Sequence, residues 1–296
     1  MRLPNSAAVL AAGLALLSAG CTITVNSHSE VAREEKKFTV DGRADLRLAT
    51  FDGAIEVQSW DRPYVLVEIE KRGPSKASID ALQVLAGQKG TVIDVEVKAP
   101  RSEAYSGIGL HRTASARLIV NVPRDTDVRA RSGDGSIKVD RVNGRIELQT
   151  GDGSIRVADV AGDLTLDTGD GSITVENAEG RLALDTGDGS VTVSGKLASI
   201  KLHTGDGSIV YRAEPGTTMA DPWEITTGDG SVSLYLPPDF NADLDAHTGD
   251  GSIRNDLDVE DGGERAERRT LRGKIGTGGK VLRVRTGDGS IRLKTN

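Results

Sequence analysis

The chain has 296 residues, with 37 basic and 44 acidic side chains and a formal net charge of −7, and this balance argues against a nucleic-acid partner, which would favour a basic surface. Aromatic residues make up only 3 % of the chain, which suits a narrow stack of β-strands better than a broad globular core. The single cysteine leaves no disulfide framework and no multi-cysteine metal site in a monomer.

Residues 1–20 are predicted to be a signal peptide. Arg2 supplies the positive charge at its start, and Ala7–Leu17 is an apolar run too short to span a bilayer. The segment that ends in Cys21 resembles the lipobox of bacterial lipoproteins, with Ser18 where that motif usually has leucine. The resemblance implies that Cys21 is acylated after cleavage and holds the protein on a membrane.

The residues after the cysteine bear on location. By the same resemblance, Thr22 in place of aspartate implies release to the outer membrane, so the expected localisation is the cell envelope, with a lipid anchor. Residues 21–37 are polar and lack periodicity, and we predict that they form a tether.

Residues 38–130 are predicted to be the less regular, capping part of a β fold, because terminal repeats of stacked proteins are commonly atypical. One helix is expected over Ser75–Gly87, where Ile79, Leu82 and Leu85 recur every three residues. Alternating patterns predict strands over Phe38–Val40, Leu46–Val57, Tyr64–Glu70, Thr91–Val97 and Ala116–Val122.

Residues 131–296 are organised around one pentapeptide, Thr-Gly-Asp-Gly-Ser. It begins at Thr150, Thr168, Thr186, Thr204, Thr227, Thr248 and Thr286, and a variant begins at Ser132. The spacing is 18 residues from 132 to 204 and then becomes 23, 21 and 38. A fixed period indicates one supersecondary unit stacked many times.

Each unit is predicted to be a strand, a tight turn and a second strand, because apolar and polar residues alternate on both sides of the pentapeptide. Two folds fit this unit. One is an antiparallel meander or propeller, since Asp-Gly favours hairpins through the positive φ that glycine accepts. The other is an all-β solenoid with coils of about 18 residues, which we favour because a parallel stack places each residue against its own copy and demands near-identical repeats.

Three stretches interrupt the pattern. The glycine-rich Pro100–Ala114 is either a binding loop or a solvated connection. Ala213–Trp223 and Glu260–Gly279 are expected to be loops that bulge from the rod. The last strand pair, Val281–Leu293, is expected to close it.

The aspartates of the pentapeptides are the sharpest candidates for chemistry. They are Asp134, Asp152, Asp170, Asp188, Asp206, Asp229, Asp250 and Asp288. Stacked ~5 Å apart, like charges repel by about 0.8 kcal/mol per pair in water, a repulsion that Ca²⁺ would offset. The interpretation we favour is that each aspartate accepts the backbone N–H two residues on and closes an Asx-turn. The threonine and serine columns are expected to form hydroxyl ladders.

Enzyme motifs are missing from the sequence. It contains no nucleophile elbow and no phosphate loop, and its four histidines are isolated. His203 and His247 share one outward repeat position and lack a third ligand, so we expect them to be exposed polar side chains. We therefore predict no catalytic residues, no metal site and no cofactor, with Ca²⁺ along the aspartates as the open alternative.

Short motifs support one family resemblance. The Ser59–Pro63 segment, the serial Thr-Gly-Asp-Gly-Ser-Ile units and the closing Gly273–Gly276 and Arg285–Ile291 segments resemble a bacterial β-strand-repeat lipoprotein family of unknown function, which often carries the label "putative adhesin". The resemblance covers roughly residues 38–296 and implies a β-helical rod.

The predicted function is that of a lipid-anchored envelope module, adhesin-like, that binds or has a structural role without catalysis. Its expected partners are the membrane, through acylated Cys21, and an envelope glycan or protein. Two alternatives stay open: a calcium-stabilised envelope rod, and a carbohydrate-active β-helix enzyme, which would need clustered carboxylates on one outer face.

Overall fold

The computed structural model describes residues 30–99, 114–261 and 269–296. In these residues the fold is all-β, as predicted, with 22 strands in one continuous hydrogen-bonded sheet and one short helix, α1, at Lys76–Asp80. The strands are β1 Glu30–Thr39, β2 Ala44–Thr50, β3 Ile55–Trp60, β4 Tyr64–Gly73, β5 Gln83–Lys89, β6 Val92–Lys98, β7 Ser115–Pro123, β8 Thr126–Ser132, β9 Ile137–Asp140, β10 Asn143–Thr150, β11 Ile155–Thr168, β12 Ile173–Thr186, β13 Val191–Thr204, β14 Ile209–Ala213, β15 Trp223–Thr227, β16 Val232–Leu236, β17 Ala242–Thr248, β18 Ile253–Asn255, β19 Val259–Asp261, β20 Thr270–Ile275, β21 Val281–Thr286 and β22 Ile291–Thr295.

The repeats stack in parallel, each copy against another copy. Ile155 in β11 lies opposite Ile173 in β12, which lies opposite Val191 in β13 and then Ile209 in β14, a shift of 18 residues at each step. Every pairing made by β10 to β16 is parallel. The near-identity of the repeats follows, because each inward side chain packs on its own copy in a shared core.

Each coil has two arms that meet at the pentapeptide turn. We call the outward side of the arms before the turns the A face, and the outward side of the arms after the turns the B face. The arms meet again at a left-handed corner, where Arg141, Asp159 and Asn177 have φ of 57°, 55° and 52°. Aspartate and asparagine tolerate this conformation better than most residues, so two of the three corners suit their sequence.

The order of the coils in the stack departs from chain order at both ends. The coil built from β2 and β3 lies between the coil of β6 and β7 and the coil of β8 and β9. Likewise, β21 pairs with both β15 and β17, and β22 pairs with both β16 and β18. The expectation that Val281–Leu293 closes the rod is therefore wrong, because this strand pair is inserted one coil before the end.

The predicted helix is much shorter than expected. It covers only Lys76–Asp80, and its N-cap is Ser75, whose hydroxyl accepts the N–H of Ser78 at 3.3 Å. Residues 83–89 instead form β5, which pairs antiparallel with β6 along its whole length. As a strand, this segment of seven residues forms backbone hydrogen bonds with the open edge of β6. Burial of Leu85 does not favour a longer helix, because this side chain is 48 % exposed.

The tether predicted to reach residue 37 is wrong in its second part. Glu30–Thr39 forms β1, a strand paired antiparallel with β4 over ten residues. Its polar side chains find partners across that pairing, as Arg33 Nη2 lies 2.7 Å from a carboxylate oxygen of the buried Glu70. An edge strand needs few apolar residues, which is why periodicity did not reveal it.

Three large aromatic side chains fill the core near the C-terminal end. Tyr211, Trp223 and Phe240 are fully buried, with ring centroids 5.4 Å apart for the first pair and 5.2 Å for the second. The Ala213–Trp223 stretch was expected to bulge outward, but Trp223 begins β15 and enters the core. The low aromatic content suited a narrow stack, yet this end of the core holds three rings, and the tyrosine hydroxyl and the indole N–H both donate to backbone carbonyls.

Part of Glu260–Gly279 was also predicted to be a loop. Thr270–Ile275 is instead β20, which pairs antiparallel with β17 and places Leu271 and Ile275 over the end of the core. Of Pro100–Ala114, residues 100–113 lie outside the described residues. In the described residues, no helix is long and apolar enough to span a membrane.

Candidate functional site

The stacked pentapeptides form one row along the rod, which we call the turn row. Thr168 in this row is buried, and its hydroxyl donates to the carbonyl oxygens of Gly151 and Gly153 in the adjacent turn, at 3.0 Å each. Equivalent bonds recur at the other buried threonines of the row. The threonines therefore do not form a hydroxyl ladder, because buried carbonyl oxygens of the neighbouring turn need donors.

The second glycine of each pentapeptide is required by the close approach of neighbouring turns. A Cβ on Gly171 would lie 2.1 Å from the carbonyl oxygen of Gly153, and one on Gly189 would lie 2.0 Å from that of Gly171. Neither glycine has a positive φ. The hairpin argument from positive φ was thus wrong, and glycine is needed here because no side-chain atom fits.

The eight turn aspartates are all exposed and lie along the turn row in stack order, with Asp288 between Asp229 and Asp250. Among the described hydrogen bonds, none of these carboxylates accepts the N–H two residues on. Threonine provides the local acceptor instead, as the N–H of Gly289 lies 3.2 Å from Thr286 Oγ1. The described residues contain no group of three His, Cys, Asp or Glu side chains arranged to hold a metal ion, and Ca²⁺ binding along the row stays a prediction.

The remaining sequence candidates are placed as follows. Cys21 lies outside the described residues, so its acylation stays a prediction. His203 and His247 lie in one row of the A face with β15 and β21 between them. Each Nδ1 is 3.0 Å from a threonine hydroxyl, Thr226 and Thr270 respectively, so the structure does not bring the two imidazoles together.

Charges on the A face near the N-terminal end are paired across strands. Arg129 Nε lies 2.9 Å and Arg131 Nη2 lies 3.4 Å from the Glu147 carboxylate. The hydrogen bond from Arg129 is the main cause that lowers the pKa of Glu147. These side chains, with Arg47, line an open depression of about 520 Å³. Of the three carboxylates that line the depression, Glu147 is bonded to arginines and Glu96 lies 3.2 Å from Lys98, so neither is a free carboxylate of the kind that a glycosidase pairs.

The A face near the C-terminal end has a similar arrangement. Arg285 Nη2 lies 2.5 Å and Arg272 Nε lies 3.1 Å from the carboxylate of Asp245. Burial acts to raise the pKa of Asp245, but the hydrogen bonds from Arg285 and Arg272 outweigh it and lower the pKa. Asp245 is thus held ionised by its neighbours and is unsuited to proton transfer.

The B face near the C-terminal end differs, because its cations have no acidic partners among the described residues. We call the outward residues Arg212, Tyr235, Arg292, Lys294 and Arg254 the basic strip. They lie on β14, β16, β22 and β18, which are neighbours in the stack. Within the part of the chain that the structure describes, none of the four cations lies within 4.0 Å of a carboxylate.

Tyr235 lies at the centre of the basic strip and orders its neighbours. The Arg212 guanidinium lies 3.8 Å from the centroid of the Tyr235 ring, and Lys294 Nζ lies 5.9 Å from it. A cation held over an aromatic face loses little further freedom when it binds an anion. The strip is therefore a partly ordered set of unneutralised donors on an open surface.

Sequence reasoning missed the basic strip, although one signal was present. The residue after the first buried aliphatic of each repeat is never acidic: it is Lys138, Arg156, Thr174, Thr192, Val210, Ser233, Arg254 and Arg292. This column forms one row of the B face. Its grouping with Arg212 and Lys294 depends on the stack order, which the sequence does not reveal.

Comparison with solved structures finds proteins of similar extent and low identity. A "putative cell adhesion protein" from Clostridium sporogenes is 13 % identical, with 90 % of this chain and 100 % of that chain covered and a TM-score of 0.33. A "putative adhesin" from Bacteroides fragilis is 10 % identical, with 90 % and 97 % covered and a TM-score of 0.43. A "putative adhesin" from Parabacteroides merdae is 13 % identical, with 88 % and 95 % covered and a TM-score of 0.42.

Comparison with the curated proteins finds no match to this chain. Comparison with sequence families gives a match over most of the chain. The family called Toastrack DUF4097 matches residues 43–294, which confirms the family resemblance seen in the repeat motifs. The chain therefore belongs to the Toastrack DUF4097 family.

Proposed function

We propose that this protein is a lipid-anchored module of the cell envelope that binds a glycan or protein partner without catalysis. The observation that carries the proposal is the basic strip on an open face, where Arg212, Arg254 and Lys294 are exposed and Arg292 is half-buried. Among the described residues, none of these four cations has a carboxylate partner. Unneutralised charge on an open surface suits binding of an extended partner, whereas catalysis needs groups that converge on one enclosed point.

The stacked coils suit this role mechanically. The turn row fixes each coil to the next through buried threonine hydroxyls, so the outward side chains are held on rigid strands. A rigid rod presents its outward rows in fixed positions and avoids the loss of freedom that a mobile loop undergoes on binding.

The anchor is tested by replacing the lipidation residue. Cys21→Ser is expected to abolish incorporation of labelled palmitate and to move the protein out of the membrane fraction. A matched change at Ser18, Ser18→Leu, is expected to keep both, because leucine is the usual residue there. Retention of label by Cys21→Ser would contradict the anchoring part of the proposal.

Binding is tested with the purified full chain coupled to beads and incubated with solubilised envelope. The coupled protein is expected to retain a carbohydrate or protein component above bare beads and above the same protein unfolded before coupling. If no component is retained in excess of both controls, the binding part of the proposal is wrong.

A further inference from the structure

We propose that the basic strip binds an anionic polysaccharide that lies along the rod axis and carries carboxylate groups. The inference names the ligand class for the proposed binding function and rests on it. It follows from the direction of the strip, the chemistry of its side chains and the surfaces around it.

The first observation is that the basic strip runs along the rod axis. Arg212, Tyr235 and Lys294 lie opposite one another on three neighbouring strands, and Arg292 lies opposite Arg254. Neighbouring strands are ~4.8 Å apart, so Arg212 and Lys294 are separated by ~10 Å along the rod. A row of cations spread over four strands fits charges repeated along a polymer better than one small anion.

The second observation is the type of cation. Three of the four cations are arginines, whose planar fork matches a carboxylate with two parallel hydrogen bonds. Tyr235 already holds the Arg212 fork against its ring at 3.8 Å. Guanidinium donors that are held in place favour a ligand with discrete carboxylate groups over a ligand whose negative charge is diffuse.

The third observation is the flat surface that continues the strip. The two rows of the strip continue with short, uncharged residues: Ser194 lies opposite Arg212, and Ser233, Val210 and Thr192 follow Arg292. Short hydroxyl side chains leave room for a chain of sugar rings and can donate to its hydroxyl groups. A polymer can therefore extend from the strip over the neighbouring B-face residues of β13, as far as the exposed Glu176 of β12.

The fourth observation is the acidic border. The turn row flanks the B face and presents the exposed Asp206, Asp229 and Asp288. Their charges repel an anionic chain on that side and favour its placement over the basic strip.

Two other classes of partner fit less well. Lipid insertion needs exposed apolar side chains, and the large ones exposed in the described residues, Val31 and Leu85, lie at the other end of the rod. Single-stranded nucleic acid needs free aromatic faces for its bases, but the Tyr235 ring is covered by Arg212. The protein's net charge of −7 also opposes a dense phosphodiester chain.

The test measures binding of polygalacturonate, a linear carboxylate-bearing polysaccharide, to the purified full chain in neutral detergent. The control variant Lys196→Ser/Lys201→Ser removes the same charge from exposed lysines outside the strip. Polygalacturonate is expected to bind in a salt-dependent manner, and Arg292→Ser/Lys294→Ser is expected to weaken binding about tenfold. The control is expected to change affinity by less than about twofold.

A second variant guards against loss of folding. Arg254→Ser lies on the short edge strand β18, and its expected effect is a loss of about threefold with an unchanged melting temperature. Equal losses in the Arg292→Ser/Lys294→Ser variant and in the lysine control would overturn the inference, because binding would then follow net charge alone.

Two further ligands separate the remaining outcomes. Dextran, a neutral polysaccharide, is expected not to bind, and poly(dT) is expected to bind more weakly than polygalacturonate. Tighter binding of dextran or of poly(dT) would overturn the inference. If envelope material is retained on beads but polygalacturonate is not bound, the ligand class is wrong while the proposed binding function stands.

Discussion

The middle of the rod and its two ends are built from the same unit but differ in how chain order relates to stack order. From Asn143 to Ala213 each arm pairs with the next copy in the sequence. At the C-terminal end, Thr286 bonds to Gly230, at 2.7 Å, across 56 residues, and Thr248 bonds at 2.7 Å to Gly289, which comes later in the chain.

The difference shows what the pentapeptide specifies. It fixes how two turns fit together, through a threonine hydroxyl, a glycine carbonyl and the space left by a missing side chain. It does not fix which copies become neighbours. The less regular parts, such as the aromatic cluster and the antiparallel strands, lie at the ends, where stack order departs from chain order.

The largest effect is expected in the aromatic cluster, where the regular and irregular parts meet. Trp223→Ala removes a fully buried side chain between Tyr211 and Phe240 and is expected to lower the free energy of unfolding by about 3–5 kcal/mol. The outward Tyr235→Ala serves as control and should cost less than about 1 kcal/mol. Urea unfolding curves give both values, and similar losses would show that the cluster does not support the core.

The next effect concerns the regular middle. Gly171→Ala places a Cβ 2.1 Å from the Gly153 carbonyl oxygen and is expected to cost about 3 kcal/mol, since backbone atoms must move. Gly87→Ala in β5 is the matched control, because nothing lies within 4 Å of its Cβ. Gly87→Ala should change the free energy of unfolding by less than about 1 kcal/mol, as measured by thermal unfolding. A stable Gly171→Ala protein would refute the close-approach explanation.

A third change compares the two regions at the same contact. Thr168→Val in the middle and Thr286→Val at the end each remove one hydroxyl that donates to two glycine carbonyls. Each is expected to cost about 1–2 kcal/mol in urea unfolding, because the carbonyl oxygens stay buried. Thr286→Val also removes the acceptor of the Gly289 N–H, so its loss should be at least as large as that of Thr168→Val. A much smaller loss for Thr286→Val would mean that the out-of-order contact is weaker than the sequential one.

The smallest effect is expected in the N-terminal end, at Glu70. Hydrogen bonding from Arg33 is the main cause that lowers the pKa of Glu70 below its ordinary value of 4.5, with burial acting against it and Arg72 adding to the effect. A lowered folded-state pKa stabilises the protein at pH values above the unfolded-state pKa, and this contribution is lost as the pH falls through the lowered pKa of Glu70.

Glu70→Gln should therefore lower stability by about 1 kcal/mol at pH 7 and reduce the acid-induced loss. Melting temperatures at pH 7, 5 and 3 measure this. Glu96→Gln, in an exposed ion pair with Lys98, is the control and should change little. An unchanged pH profile in Glu70→Gln would show that this ion pair does not stabilise the end of the rod.

Much of the repeat could be predicted from the sequence, because alternation and the 18-residue period are properties of each copy. The inward columns, such as Leu166 and Leu184, and the parallel register follow from them. The order at the ends could not be predicted, because near-identical turns fit one another in any order. β1 and β5 were missed because edge strands are paired on one side and show little apolar periodicity.

The candidate site was predictable only in part. The exposed aspartates were found by their repetition, whereas the residues that hold the turn are the threonines and glycines beside them. The basic strip combines Arg212 with Arg292, which are far apart in the chain and share one surface only because β22 is inserted beside β16. No local pattern encodes such a meeting.

Cysteine cross-linking tests the inserted coil most directly, in a Cys21→Ser background that leaves no other thiol. Ser290 lies next to both Ser252, with the hydroxyl oxygens 3.4 Å apart, and Ser231, whose hydroxyl accepts the Ser290 N–H at 3.3 Å. Ser252→Cys/Ser290→Cys and Ser231→Cys/Ser290→Cys are each expected to form a disulfide under mild oxidation, and Ser231→Cys/Ser252→Cys is expected not to. A disulfide in the last pair and none in the other two would contradict the stack order described for this end of the rod.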